Sequence, residues 1–76
     1  MKTIGSVRED LNTEQRISVS PETVKKFVDL NFSVVLEKNY GEHLGIFDKE
    51  YTDKGAIFHN SAKEVFEKSE ILLKVN

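Results

Sequence analysis

The run Phe32-Ser33-Val34-Val35-Leu36 is apolar at every position except Ser33. A strand with one wet face alternates apolar and polar residues, whereas a strand buried on both faces does not. This run therefore predicts a strand with helices on both sides of its sheet. The chain supplies candidates for those helices on either side of it. Ser20 suits an N-cap and Pro21 a first helical position, and Val24, Phe27 and Val28 recur at helical spacing while Lys25, Lys26 and Asp29 face water. Ser61-Ala62-Lys63-Glu64 has the spacing of a capping box, in which the Ser oxygen takes one free amide and the Glu reaches back for another. Val65 and Phe66 would supply the buried side of that helix.

Further elements fill the intervals. Thr3 to Val7 is a first strand, weakened by Gly5 and Ser6. The polar stretch Arg8 to Val19 is long for a connection inside a compact domain. Asn39 to Phe47, carrying Gly41 and Gly45, reads as a loop. Asp48 would cap a short helix through Lys54, with Tyr51 inward and Gly55 as a left-handed stop. Ala56 to Phe58 is a third strand, and Ile71 to Val75 a fourth, buried on both faces until Lys74. Alternating strands and helices imply right-handed βαβ units. The expected architecture is α/β: a truncated doubly wound, flavodoxin-like parallel sheet of about four strands, in the order 2-1-3-4, with helices on both faces. Its last strand would present an apolar edge.

Size limits what such a sheet can do alone. A chain of 76 residues makes one small domain, and a domain of that size buries only roughly 60% of the surface its unfolded form exposes. There is no Cys, so disulfides and thiolate metal sites cannot reinforce it. Stability must come from packing or from a partner. A net charge of −2, with 11 basic and 13 acidic residues well mixed, argues against nucleic acid or an anionic membrane as partner. No segment approaches the roughly 20 apolar residues of a membrane span, and no signal-peptide pattern opens the chain. A cytoplasmic location is expected.

Individual polar residues carry little chemistry by pattern alone. Gly41 and Gly45 lack the G-x-G-x-x-G spacing of a phosphate cradle and suit turns. His43 and His59 are the only histidines and fit surface or strand-end positions better than a metal site or acid–base role. Ser20 and Pro21 are structural, and Lys63-Glu64 to Glu67-Lys68 reads as a solvated helix face. Phe27, Phe32, Phe58 and Phe66 are core candidates rather than a stacking platform for bases.

Three segments together go further. Ile4-Gly5-Ser6-Val7-Arg8-Glu9, then Glu14-Gln15-Arg16-Ile17-Ser18-Val19-Ser20-Pro21, and Ser69-Glu70-Ile71-Leu72-Leu73-Lys74-Val75-Asn76 resemble the N-terminus of alanine dehydrogenases and transhydrogenase alpha subunits. The resemblance extends through Phe47-Asp48 and the Lys54-Gly55-Ala56 turn and spans essentially the whole chain. The ending favours the transhydrogenase branch, because alanine dehydrogenases usually follow the equivalent Lys-Val with a Lys-Glu-Pro type sequence.

The resemblance implies that residues 1–76 are a partial N-terminal domain whose NAD-binding companion domain is absent, so this chain has no cofactor of its own. NAD and NADP would serve the complete enzyme. The implied partners are the remainder of the alpha chain and the beta subunit, with a homodimer of the complete enzyme and a position at the inner face of the membrane through those partners. The implied activity is hydride transfer between NAD(H) and NADP(H) coupled to proton movement, with this chain inactive alone. An alanine dehydrogenase fragment and a non-catalytic small α/β module are the alternatives.

Residue by residue, the resemblance carries over two substrate positions and no catalytic one. In alanine dehydrogenases, cations matching Arg16 and Lys74 hold the carboxylate and keto oxygen of pyruvate or alanine. A guanidinium offers a planar fork to a carboxylate, and an ammonium a point charge to a carbonyl oxygen. Without the resemblance, spacing alone favours reading Arg16 as a solvated loop cation or an internal partner of Glu9 or Glu14, and Lys74 reads equally as a strand-end lysine reaching to water. In a transhydrogenase the two positions need not bind a substrate acid. The catalytic His of alanine dehydrogenases falls beyond this sequence, and neither His43 nor His59 matches it.

Overall fold

A computed structural model describes residues 2–8 and 18–73. Four parallel strands form one sheet: β1 (Thr3–Ser6), β2 (Ser33–Glu37), β3 (Ile57–His59) and β4 (Ile71–Leu72). Three α-helices connect them, α1 (Pro21–Asp29), α2 (Asp48–Thr52) and α3 (Ala62–Lys68), with a single 3-10 turn at Glu42–Leu44 before α2. The α/β fold and parallel sheet agree with the expectation from sequence.

The strand order does not. It is β3-β2-β1-β4 rather than 2-1-3-4, for a reason visible in the helices. α1 and α2 touch each other and lie against β2 and β3, respectively, whereas α3 packs across β1, β2 and β3. Under the right-handed crossover rule, neighbouring helices on one face require that strands be added in one direction. β2 and β3 therefore extend outward from β1, and α3 carries the chain back over the opposite face to the free side of β1. The sheet remains doubly wound, with its reversal between β1 and β4.

Local chemistry explains the helix ends. The Ser20 hydroxyl accepts from Thr23 N–H at 3.2 Å, and Pro21 follows in the first turn, where it forfeits no hydrogen bond. Ser61 caps α3 by accepting from Glu64 N–H at 3.3 Å. The predicted return bond from Glu64 is replaced: its carboxylate instead faces His59 Nδ1 at 3.5 Å. At α2 the cap lies one residue earlier than predicted, at Phe47, whose N–H donates to Glu50 Oε2 at 2.8 Å. Asp48 is thereby free to accept Asn39 N–H at 3.1 and 3.2 Å. Gly55, at φ 109°, takes the backbone turn that α2 needs to reach β3.

The main core lies between the sheet and the α1/α2 layer. It joins Val19, Val24, Val34, Leu36, Tyr40, Tyr51 and Ala56, with Phe27, Val28, Ile46, Phe58 and Leu73 packed around them. On the opposite face Val35 and Val65 are buried, and Gly5 is so close to α3 that a Cβ there would collide with the side chain of Ser69. Two sequence expectations fail on burial. β4 is short, and Ile71 and Leu72 are exposed rather than covered on both faces, because it is an edge strand whose main contacts among the described residues are with β1. Phe66, expected in the core, is 50% exposed, since Val65 takes the inward position on α3. The apolar edge predicted for the last strand is present.

Candidate functional site

In an open parallel sheet, ligands gather beyond the carboxyl ends of the strands where the strand order reverses. Here that crevice lies between the ends of β1 and β4. Ser6 closes β1, fully buried, and its hydroxyl donates to the Leu73 carbonyl at 2.8 Å, bridging the two strand ends. A hydroxyl has one proton. Ser6 therefore accepts from the Tyr40 hydroxyl, which lies 2.7 Å away. Tyr40 in turn accepts from the Ser18 N–H at 3.2 Å. The result is one directed chain, Ser18 N–H to Tyr40 to Ser6 to the Leu73 carbonyl, joining the ends of β1 and β4 to the segment that enters α1.

Sequence pattern places Tyr40 in a loop, yet it is only 2% exposed. Asn39, at φ 63°, turns the backbone so that the aromatic ring returns beneath the strand ends. An asparagine followed by an aromatic residue at the start of a glycine-bearing loop is the signal that could have found it. Tyr51 braces Tyr40 edge to face, ring centroids 5.7 Å apart at 84°, and donates its own hydroxyl to the Val19 carbonyl at 2.8 Å. Gly41 leaves room for this: a Cβ there would stand 3.2 Å from the Tyr51 ring. On the other side of β1, Arg8 N–H donates to Glu37 Oε1 of β2 at 2.8 Å, fixing the chain as it leaves β1.

Burial pushes the Tyr40 phenol above its ordinary 10.0, against the opposing pull of its bonds to Ser6 and Ser18. Burial also pushes Tyr51 far up, reinforced by Tyr40, Glu50 and Asp48 nearby. Both phenols are neutral donors at neutral pH, suited to holding structure rather than to exchanging protons. Arg16 and Lys74, the predicted substrate residues, lie outside the described residues. His59 sits at the end of β3 and His43 in the 3-10 turn. Among the described residues no group of three or more His, Asp or Glu could hold a metal, and no helix is long and apolar enough to cross a membrane.

The turn after β1 differs from that of a dinucleotide site. Such sites use a glycine-rich turn after the first strand so that backbone can approach a pyrophosphate. β1 is followed instead by Val7-Arg8, and its one glycine, Gly5, is filled against by Val65 and Ser69 of the α3 side.

The family model described as alanine dehydrogenase/PNT, N-terminal domain, matches residues 5–76. An alanine dehydrogenase of Methanococcus maripaludis is 39% identical over 72 residues, which cover 95% of this chain and 19% of that protein. The NAD(P) transhydrogenase subunit alpha of Haemophilus influenzae is 36% identical over 73 residues, covering 96% of this chain and 14% of that protein. Among solved structures, an L-alanine dehydrogenase superposes with a TM-score of 0.87 at 32% identity, over 95% of this chain and 20% of that one. The chain thus spans a fifth or less of the length of these relatives.

Proposed function

Because the chain belongs to the alanine dehydrogenase/PNT N-terminal domain family, we propose that it forms the opening segment of the NAD(H)-binding component of a proton-translocating NAD(P) transhydrogenase. In that setting it is scaffold. NAD and NADP bind to other regions of the complete enzyme, and this chain joins the remainder of the alpha subunit, then the beta subunit, at the cytoplasmic face of a membrane; the complete enzyme is a homodimer. The observation that carries this reading is Asn76, which follows Lys74-Val75 at the position where alanine dehydrogenases usually have the first Lys of a Lys-Glu-Pro sequence.

A second reading, an alanine dehydrogenase segment, is favoured by the 0.87 superposition over 95% of the chain. Here Arg16 and Lys74 hold the carboxylate and keto oxygen of a small 2-oxo acid. The directed chain through Tyr40 supports it, because it ends at Ser18 and Leu73, two residues after Arg16 and one before Lys74.

Replacement of the matching N-terminal segments in the H. influenzae and M. maripaludis proteins by this chain separates the two. The expected outcome is hydride exchange between NAD(H) and an NADP(H) analogue by the first chimaera, at a rate within about tenfold of its parent. A folded first chimaera without exchange, beside a second that oxidises alanine, would overturn the transhydrogenase assignment.

A further inference from the structure

Buried hydroxyls need partners, and the Tyr40 chain has one more acceptor at hand than it uses. Each hydroxyl in it carries a single proton. With the Ser6 proton on the Leu73 carbonyl at 2.8 Å, the Tyr40 proton goes to Ser6 Oγ at 2.7 Å. Ser18 meets the phenol through its N–H, at 3.2 Å. Its own Oγ is buried beside the same phenol and has no hydrogen-bond partner among the described residues.

Withdrawal of the Leu73 carbonyl would strand Ser6, which is fully buried. The phenol offers it a second acceptor, provided the Tyr40 proton leaves the Ser6 oxygen, and Ser18 Oγ is where that proton can go. Donation then runs in the opposite direction through the same atoms, Ser6 to Tyr40 to Ser18 Oγ, and no buried hydroxyl is orphaned. The rest of β4 is lightly held. It is an edge strand of two residues, with Ile71 38% and Leu72 45% exposed, and its flanks are tied to β1 by the Glu70 N–H on the Thr3 carbonyl and the Leu73 N–H on the Gly5 carbonyl, both at 2.9 Å.

We propose that the end of β4 is a releasable strap at the crevice, and that the Ser6–Tyr40 pair is a two-position switch that reverses its direction of donation when Leu73 leaves. Ser18 is the third contact of the switch, so the entry to α1 registers whether the strap is docked. Coupling between two chain segments needs an element with two discrete arrangements, and the hydroxyl network supplies one. The proposal is independent of which enzyme the chain serves.

Amide hydrogen exchange of the 76-residue chain, followed by NMR, tests this. The Leu73 N–H reports release of the strap, and the N–H of buried Ala56, bonded to the Tyr51 carbonyl at 3.1 Å, reports global unfolding. Relative to intrinsic rates, Leu73 in the parent chain is expected to exchange at least about tenfold faster than Ala56; equal protection would mean that β4 opens only with the whole fold, and overturns the proposal. Ser18→Ala and Tyr40→Phe abolish the second arrangement while leaving the Ser6 bond to Leu73 in place. Each is therefore expected to slow Leu73 exchange roughly tenfold, the effect of one orphaned hydroxyl in the released form. A passive brace predicts the opposite sign for Tyr40→Phe and no effect of Ser18→Ala, so Leu73 exchange that is unchanged or faster in either folded variant overturns the switch. Ser18→Ala, the milder substitution, decides the matter if Tyr40→Phe does not fold. Ser6→Ala removes the bond itself and is expected to hasten Leu73 exchange roughly tenfold; an unchanged rate there overturns the proposal at its first link.

Discussion

The two faces of the sheet are built from the same kinds of residue and packed very differently. On one face, α1 and α2 press Val24 and Tyr51 onto Val34 and Leu36, and the residues at the centre are almost wholly enclosed. On the other, α3 alone covers Gly5 and Val35, while Ile57 remains 50% and Leu72 45% exposed. Strand register places these four residues together, since Val35 pairs with both Gly5 and Ile57, and Gly5 with Leu72. Apolar strand residues are therefore buried here in proportion to the helices over them. Fully burying one such side chain stabilises by roughly 1.5–3 kcal/mol, so the first face dominates the stability of the fold.

Substitution at Leu36 gives the largest test of this difference. Leu36→Ala is expected to cost about 2–5 kcal/mol in urea unfolding, enough to unfold a domain of this size. Gly5→Ala comes next, at about 1–3 kcal/mol, because the new Cβ overlaps Ser69 and stands 3.0 Å from Val65 Cγ1, so α3 must shift outward. A much smaller cost would show that α3 is held more loosely than its contacts suggest, which would widen the contrast between the faces.

Tyr51→Phe probes the enclosed face more gently. Loss of its bond to the Val19 carbonyl leaves that acceptor unpaired within the described contacts, for about 1–2 kcal/mol. The same residue gives a pH signature. With both tyrosines raised above 10.0 in the folded state, the unfolded chain loses its phenolic protons first. Their contribution to stability is complete below about pH 10 and declines as pH rises beyond it. Thermal unfolding across that range should show the decline, and Tyr51→Phe should make it shallower. Smallest of all, Phe66→Ser on the thin face should change stability by only about 0.5 kcal/mol; a loss comparable to Leu36→Ala would break the comparison outright.

Much of this is legible in the chain because the signals are local. Ser20-Pro21 and Ser61 announce two helices through caps that need only neighbouring amides, and Val34 to Leu36 announce a strand with two covers. What the chain conceals depends on distant residues. The strand order follows from which face each helix adopts, a property of α1 meeting α2 that neither segment carries alone. The exposure of Ile71 and Leu72 depends on what lies over β4, and the same apolar letters suit a covered strand equally well. Tyr40 resembles a loop residue because its partners, Ser6, Ser18 and Tyr51, are 34, 22 and 11 positions away. For the site, the family resemblance points to Arg16 and Lys74, while the hydroxyl chain that links their neighbouring backbones is visible only in three dimensions.

The central place of β1 also bears on how quickly this fold can form. Its pairing with β4 joins Ile4 to Ile71, and the Ser6 bond to Leu73 spans 67 positions. Closing so long a loop costs entropy before the new contacts can compensate, and chains dominated by such distant pairings reach their native state slowly. The β1–β2 pair with α1 has the shorter closure, from Ile4 to Val34, and is the natural nucleus. Slowing of refolding should therefore follow substitutions at Val34 and Val24, whereas lesions at Ile71 should mainly hasten unfolding.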